Sequence, residues 1–354
     1  MKSGIVRMSA PVHPVSNYFD LSVKDGIKTF DHNYFGNGKI LLSGEYFVLD
    51  GADALALPTQ AGQSLSVKYE RSYNPSLSWK AYDSNGELWF SADYEFWNFN
   101  LLDSDSADDP KAIFLQKLLR QTRLQNKHFL RDELNVLVET RLGFPKDWGL
   151  GSSSSLIYNI AQWAYISPFE LLFKTTKGSG YDVACAQSNG AILYNLGDSG
   201  PLWSPVAFDP SFKNCLYFVY LGKKQNTYDE INKYKSLGRP DISIINEVSY
   251  FTREILSSNS LDDFNSLIRE HEKIISKHTS IAMVKDQLFR DFPGEIKSLG
   301  AWGGDFALVS CDRGKNDVEK YFQNKGFNVV IPYDRLIMTQ SESERRDSDD
   351  RLIH

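Results

Sequence analysis

Residues 145–156 read Pro145-Lys-Asp-Trp-Gly-Leu-Gly-Ser-Ser-Ser-Ser-Leu156, a glycine pair and four serines running directly into an apolar series. Leu156, Ile157, Ile160, Ala161 and Ala164 recur at a spacing that shares one face of a helix. The stretch is therefore a loop feeding a helix N-terminus. Gly149 and Gly151 permit close approach and unusual φ, and the first-turn N–H groups have no partner inside the helix, so the place suits an anion, a phosphate above all. Taken alone, the same stretch also reads as an ordinary serine-capped helix. What surrounds it decides between the two.

Upstream, Leu134, Val136 and Val138 alternate as a strand, and Asp109-Pro110 supplies the cap and first residue of a helix running to about Arg123. Leu65, Val67 and Tyr69 alternate, as do Leu77, Trp79 and Ala81; the second set passes through Ser84-Asn-Gly86 to Leu88 and Phe90 as a hairpin. Lys39-Ile-Leu-Leu-Ser-Gly-Glu-Tyr-Phe-Val-Leu-Asp-Gly51 reads as strand, turn, strand, broken at Ser43-Gly-Glu45. Residues 1–32 show no sustained period and look like an extension outside the core.

Downstream, a helix over 168–175 ends at Lys177-Gly-Ser-Gly-Tyr-Asp-Val-Ala184, a strand covers 191–196, and Gly197-Asp-Ser-Gly-Pro201 is the candidate domain boundary. Beyond it the pattern predicts a buried strand over 216–221, helices over 241–256 and 260–278, a strand over 307–310, a helix over 317–325 and a strand over 328–331. His271 and His278 lie on the apolar stripe of the second of those helices and read as packing or surface residues. Residues 341–350 form a charged, serine-rich tail that reads as disordered.

A chain of 354 residues has room for two domains, and its net charge of −6 gives no general basic field for nucleic acid or anionic lipid. A polyanionic small molecule would need a local cluster. Cys185, Cys215 and Cys311 form no CxxC pair, so neither structural zinc nor a disulfide framework is expected. Residues 1–17 lack the apolar core of a signal peptide, and no stretch reaches the length of a membrane span. The expectation is a cytoplasmic protein, monomer or homodimer, with a small-molecule substrate and no nucleic-acid or membrane partner.

The chain has no G-x-x-x-x-G-K-[ST], no third glycine for a dinucleotide fingerprint and no G-x-S-x-G elbow. What stands in order is Asn37-Gly-Lys-Ile-Leu-Leu-Ser-Gly-Glu-Tyr46, the serine loop, Ser179-Gly-Tyr-Asp182, and Gly300-Ala-Trp-Gly-Gly-Asp305. This series resembles the motifs of the GHMP kinases, the small-molecule kinases named for galactokinase, homoserine kinase, mevalonate kinase and phosphomevalonate kinase, and covers roughly residues 33–335. Tyr46 after Gly44-Glu45 and the Gly-Gly-Asp ending at Asp305 look closer to phosphomevalonate kinases than to mevalonate kinases.

The resemblance implies an α+β, two-domain GHMP kinase fold: an extension over residues 1–32, a ribosomal-S5-like ATP-binding domain over 33–200, a ferredoxin-like domain over 201–338 and a polar tail over 339–354. It also implies ATP and Mg²⁺ as cofactors, with the site in the cleft. The backbone of Gly149, Leu150, Gly151 and Ser152 would cradle the phosphates, Ser153 would offer its hydroxyl to Mg²⁺ with Ser152 as competitor, and Gly300, Gly303 and Gly304 would close over the nucleotide. Asp182 and Lys39 match the catalytic aspartate and lysine, and Glu45, Tyr46, Ser179 and Gly180 would lie by the acceptor.

The activity so implied is transfer of the γ-phosphoryl group of ATP to an acidic metabolite, foremost 5-phosphomevalonate, with mevalonate or another small alcohol as the alternative acceptor. Lys177, Lys223, Lys224 and Lys297 are candidate cations for a phosphorylated acceptor. A non-catalytic binding member of the fold is the third reading, against which Lys39, Ser153 and Asp182 stand together. Trp302 departs from the family's glycine-rich loop and reads either as bulk that narrows the nucleotide side or as a lid.

Overall fold

The strands follow the apolar alternation, and the computed structural model describes residues 30–102, 108–222, 227–300, 302 and 305–338. The expected extension, apart from residues 30–32, and the expected tail lie outside the described residues. The first half builds a seven-stranded sheet from β1 (His32–Ser43), β2 (Ala54–Arg71), β3 (Ser76–Tyr82), β4 (Leu88–Glu95), β5 (Leu134–Leu142), β6 (Ile192–Gly197) and β7 (Gly200–Pro205). The long β2 is its spine. It pairs antiparallel with β1 from His32↔Val67 to Ser43↔Leu55, and with β5 and β6 over separate stretches.

Four α-helices complete the described residues of this half: α1 (Pro110–Gln125), α2 (Ser152–Ala164), α3 (Pro168–Thr175) and α4 (Tyr181–Ala186). Asp109 and Ser167 cap α1 and α3 through backbone N–H groups of Lys111 and Glu170, and Pro110 and Pro168 sit where a missing N–H costs nothing. The apolar stripe of α2, Ile157, Ile160 and Trp163, packs with Leu65, Val67, Trp79 and Leu118 in one buried cluster. Burying each such side chain contributes about 1.5–3 kcal/mol, so the stripe holds the start of α2 firmly against the sheet.

The second half comprises β8 (Leu216–Tyr220), α5 (Thr227–Ser236), α6 (Ile242–Ser257), α7 (Leu261–Thr279), α8 (Val284–Leu288), β9 (Glu295–Ser298), β10 (Phe306–Ser310), α9 (Lys315–Asn324), β11 (Val330–Pro332) and α10 (Tyr333–Leu336). Its sheet runs β11-β8-β10-β9 with every pairing antiparallel, the ferredoxin-like order. Leu55, Leu57 and Leu150 from the first half share a buried cluster with Phe218, Phe264 and Leu308 from the second. The two halves are therefore joined by apolar burial over the region where β1 and the serine loop meet.

Two local expectations change. The segment after Ser43 is not a second strand: Gly44 at φ 86 and Tyr46 at φ 62 turn the chain into a 3-10 helix, Phe47–Asp50, closed by Gly51 at φ 95. A Cβ on Gly44 would lie 2.6 Å from the Asp53 carbonyl oxygen, so the turn needs glycine there. Gly197-Asp-Ser-Gly200 is not a domain boundary but a hairpin turn, with Gly197 paired to Gly200 and β7 continuing the first sheet to Pro205. The chain passes to the second sheet only between Pro205 and Leu216.

Candidate active site

The serine loop enters α2 through left-handed glycines, Gly149 at φ 65 and Gly151 at φ 91, and the N-cap Gly151 offers no side chain to the helix. First-turn N–H groups of this kind are donors that suit an anion. The serines divide by role. Ser154 and Ser155 donate their hydroxyls back to the Gly151 carbonyl at 2.8 and 3.0 Å, and Ser155 also reaches Gln63, whereas Ser153 is exposed. The apolar staple of α2 and the back-bonded serines fix the loop, leaving Ser152 and Ser153 at the rim.

β1 lies against this loop: the Lys39 N–H donates to the Leu150 carbonyl at 2.9 Å. The approach is close enough that a Cβ on Gly38 would lie 3.0 Å from that same carbonyl and 2.3 Å from the Thr59 hydroxyl. The Lys39 side chain then crosses Gly151, where an added Cβ would lie 3.0 Å from its Cγ. Its ammonium lies 5.8 Å from the centroid of the Tyr181 ring. Burial works to lower the pKa of Lys39, but Tyr181, Asp182 and Asp305 outweigh it and hold the group charged, above its ordinary value.

Asp182 stands in the first turn of α4, entered through Gly180 at φ 98. A Cβ there would lie 3.0 Å from the Tyr194 hydroxyl, which donates to the Ser179 carbonyl. Burial raises the Asp182 carboxyl above its usual range, opposed by the Lys39 charge and by the Val183 N–H at 3.0 Å. A carboxyl shifted upward is a better proton acceptor than an ordinary one. Lys39 is thus tied to the serine loop through its backbone and acts on the Asp182 carboxylate through its charge.

One cavity takes in Lys39, Tyr46, Gly149, Leu150, Ser179 and Tyr181 from the first half with Glu230, Ile231, Gly300 and Asp305 from the second. Glu230 is buried on α5 and pairs with Lys233 at 2.6 Å. Asp305 presses its carboxylate on the serine loop: a Cβ on Gly149 would lie 2.0 Å from its Oδ2. Gly300 at φ 61 lines the same cavity, while Gly303 and Gly304 lie outside the described residues.

Other expected site residues are placed differently. Glu45 does not line the cavity. It is fully buried, ion-paired with the equally buried Lys297 of β9, and 3.8 Å from His271 Nε2, which accepts the Gly44 N–H at 3.1 Å. Its turn faces the second domain rather than solvent, so its neighbours are structural. Lys297 is for the same reason not a cleft cation, and Lys177 is exposed; Lys223 and Lys224 lie outside the described residues. Trp302 is no exposed lid: it is 2% exposed, packs with Tyr46, Phe47 and Tyr234, and donates its backbone N–H to the Tyr46 hydroxyl at 2.9 Å.

Sequence reasoning missed Tyr181, Glu230 and Asp305. Tyr181 and Asp305 were inside quoted motifs, and an acid directly after Gly-Gly was the available signal. Glu230 sits in no motif and is brought in only by the packing of α5.

Mg²⁺ commonly takes one or two carboxylates plus substrate phosphates rather than a cage of protein ligands. Among the described residues no three His, Cys, Asp or Glu side chains cluster to form such a cage. The exposed Ser153 hydroxyl and Asp305, whose carboxylate lies against the loop, are donors that suit an ion shared with phosphates. No helix among the described residues is long and apolar enough to cross a membrane.

No protein-family model matches the chain, and no curated protein matches it by sequence. Solved structures do. Mevalonate kinase from Methanococcus jannaschii aligns over 87% of this chain and 98% of its own at 15% identity and a TM-score of 0.61. Phosphomevalonate kinase from Streptococcus pneumoniae, solved with phosphomevalonate and AMPPNP, aligns over 84% and 99% at 15% identity and 0.63. Galactokinase from Lactococcus lactis, solved with galactose, aligns over 83% and 88% at 12% identity and 0.54. The chain has the two-domain α+β fold of the GHMP family.

Proposed function

We propose that the protein is an ATP- and Mg²⁺-dependent phosphotransferase acting on a small alcohol of the mevalonate class. The observation that carries this reading is the course of Lys39, whose backbone is bonded to the serine loop and whose ammonium is held charged between Tyr181, Asp182 and Asp305. Phosphoryl transfer needs little covalent help from a protein; it needs donor and acceptor held in line and the moving charge neutralised. The Gly149 to Ser152 backbone would hold the phosphates, Lys39 would face the transferred group, and Asp182 would take or orient the acceptor proton. Ser153, with Asp305, would hold the metal ion, which would supply charge neutralisation on the phosphates.

The leading acceptor is 5-phosphomevalonate, on the strength of Tyr46 after Gly44-Glu45 and of Asp305 after its glycines. Mevalonate is the second reading. It is favoured by the cavity wall, in which Lys39 is the one cation among the described residues, beside the carboxylates of Glu230 and Asp305. Coupled ADP release measured with the two acceptors side by side tests both. Stimulation by either supports the phosphotransferase, and the larger kcat/KM assigns the acceptor. Stimulation by neither, with nucleotide bound, favours a non-catalytic binding protein.

A further inference from the structure

Two of the three cysteines, some hundred positions apart in the sequence, meet across the second sheet. β8 and β10 pair antiparallel from Phe306↔Tyr220 to Ser310↔Leu216, so the next opposed pair in that register is Cys311 and Cys215. The Cys311 N–H donates to the Cys215 carbonyl at 2.9 Å, which makes the two an opposed, hydrogen-bonded pair. Such residues lie about 5.5 Å apart at Cα and send their side chains to the same face. A disulfide spans about 4.4–6.8 Å at Cα, so the ladder already holds these two at bridging range. On that face Tyr217, Val219 and Val309 pack with Cys311 in a buried cluster, and Cys215 stands at its edge, where the 3-10 turn Lys213–Cys215 enters β8. Both are free thiols, Cys311 2% exposed and Cys215 half-buried.

We propose that Cys215 and Cys311 form an oxidation site: a small disulfide such as oxidised glutathione joins them in a cross-strand disulfide that staples β8 to β10. The Cys215 thiolate, the more accessible of the two, attacks one sulfur of the reagent, forming a mixed disulfide and releasing one thiolate. The Cys311 thiolate then attacks the Cys215 sulfur, and the second reagent thiolate leaves. The protein thiols give up two electrons and two protons, and the reagent takes them up as two thiols. Burial holds both cysteines above their ordinary value, Asp312 adding to it at each while the Arg313 backbone opposes it at Cys311. Both are therefore largely protonated at neutral pH, and the exchange is slow. The pair stands away from the cleft. Asp305 and Phe306 line the active-site cavity, whereas Cys311 is five residues beyond Phe306, about 17 Å at the rise of a strand. The site is independent of the phosphotransferase reading.

The test oxidises the folded full chain with glutathione disulfide, blocks the remaining thiols with N-ethylmaleimide in urea, and reads intact mass and non-reduced tryptic peptides. Wild type, Cys215→Ser and Cys311→Ser are compared. The wild type should lose two hydrogens, fall from three free thiols to one and yield a linked Cys215–Cys311 peptide pair, with Cys185 left as a thiol in the buried cluster of the first half. Cys311→Ser should stop at one glutathionyl group on Cys215, and Cys215→Ser should form no link. Closing a loop of some hundred residues should raise Tm by about 3–6 °C, an increase that dithiothreitol reverses. That rise separates a link made in the native sheet from one that traps a distorted form. A wild type that keeps three thiols, accumulates a stable glutathionyl group on Cys215, links through Cys185 or gains no stability on linking overturns the proposal. None of these results bears on the phosphotransferase reading.

Discussion

Replacing Gly149 by alanine strikes the contact that joins the serine loop to the second domain. Gly149 has φ 65, and a Cβ there would lie 2.0 Å from Asp305 Oδ2 and 2.3 Å from its Cγ. The left-handed conformation costs an alanine about 1–2 kcal/mol. Forcing a packed group aside adds typically about 1–3 kcal/mol. The variant should therefore lose about 3 kcal/mol, a fall in Tm of roughly 4 °C for a chain of 354 residues. Asp305→Gly in the same background removes the obstacle and leaves only the φ strain. A urea-denaturation double-mutant cycle over the four proteins should then give a coupling of about 1–3 kcal/mol. A loss below about 0.5 kcal/mol in Gly149→Ala, or no coupling with Asp305→Gly, would refute the reasoning.

Lys297→Met leaves the Glu45 carboxylate buried without its partner and should cost about 3–5 kcal/mol in denaturant unfolding, most of it regained in the Glu45→Gln/Lys297→Met double variant. An unfolding midpoint unmoved by Lys297→Met would show that the pair is not enclosed as described. Glu272 is pushed up to about 7 by burial, against the opposing effects of Lys297 and the Ser298 N–H. Its folded value lies above its unfolded one, so its contribution is complete below about pH 4.5 and is lost as pH rises to 7, roughly 3 kcal/mol in all. Burial, aided by the Lys297 charge, holds His271 well below its ordinary value, so its contribution runs the other way, present above pH 6.5 and lost on acidification. In the wild type the two offset each other. Glu272→Gln should become progressively less stable than the wild type as pH falls from 7 to 5, and parallel stability profiles would contradict the assignment.

Much of the fold could be read locally. Capping pairs such as Asp109-Pro110 and the stripe on α2 are decided within a turn or two of helix, and the structure follows them. What could not be read is set by long-range packing. The Phe47–Asp50 segment has the composition of a strand, yet Gly44, Tyr46 and Gly51 turn it back on itself. Glu45 looks like a cleft residue until β9, some 250 positions later, brings Lys297 to it. Of the candidate site, the serine loop, Lys39 and Asp182 can be singled out from the sequence because each lies in a short glycine-bearing stretch. The contact of Asp305 with Gly149, and the arrival of Glu230 on α5, depend on how the two sheets pack and have no local signal.

The central claim is that Asp182 acts on the acceptor while the serine loop holds the nucleotide. It is tested most directly by comparing wild type and Asp182→Asn for ADP formation with 5-phosphomevalonate or mevalonate and, separately, for AMPPNP affinity in Mg²⁺. The account predicts that Asp182→Asn lowers kcat by about 10²–10⁴-fold and changes nucleotide affinity by no more than about threefold. Turnover retained within a few-fold in Asp182→Asn, or a loss explained wholly by weaker nucleotide binding, would contradict it.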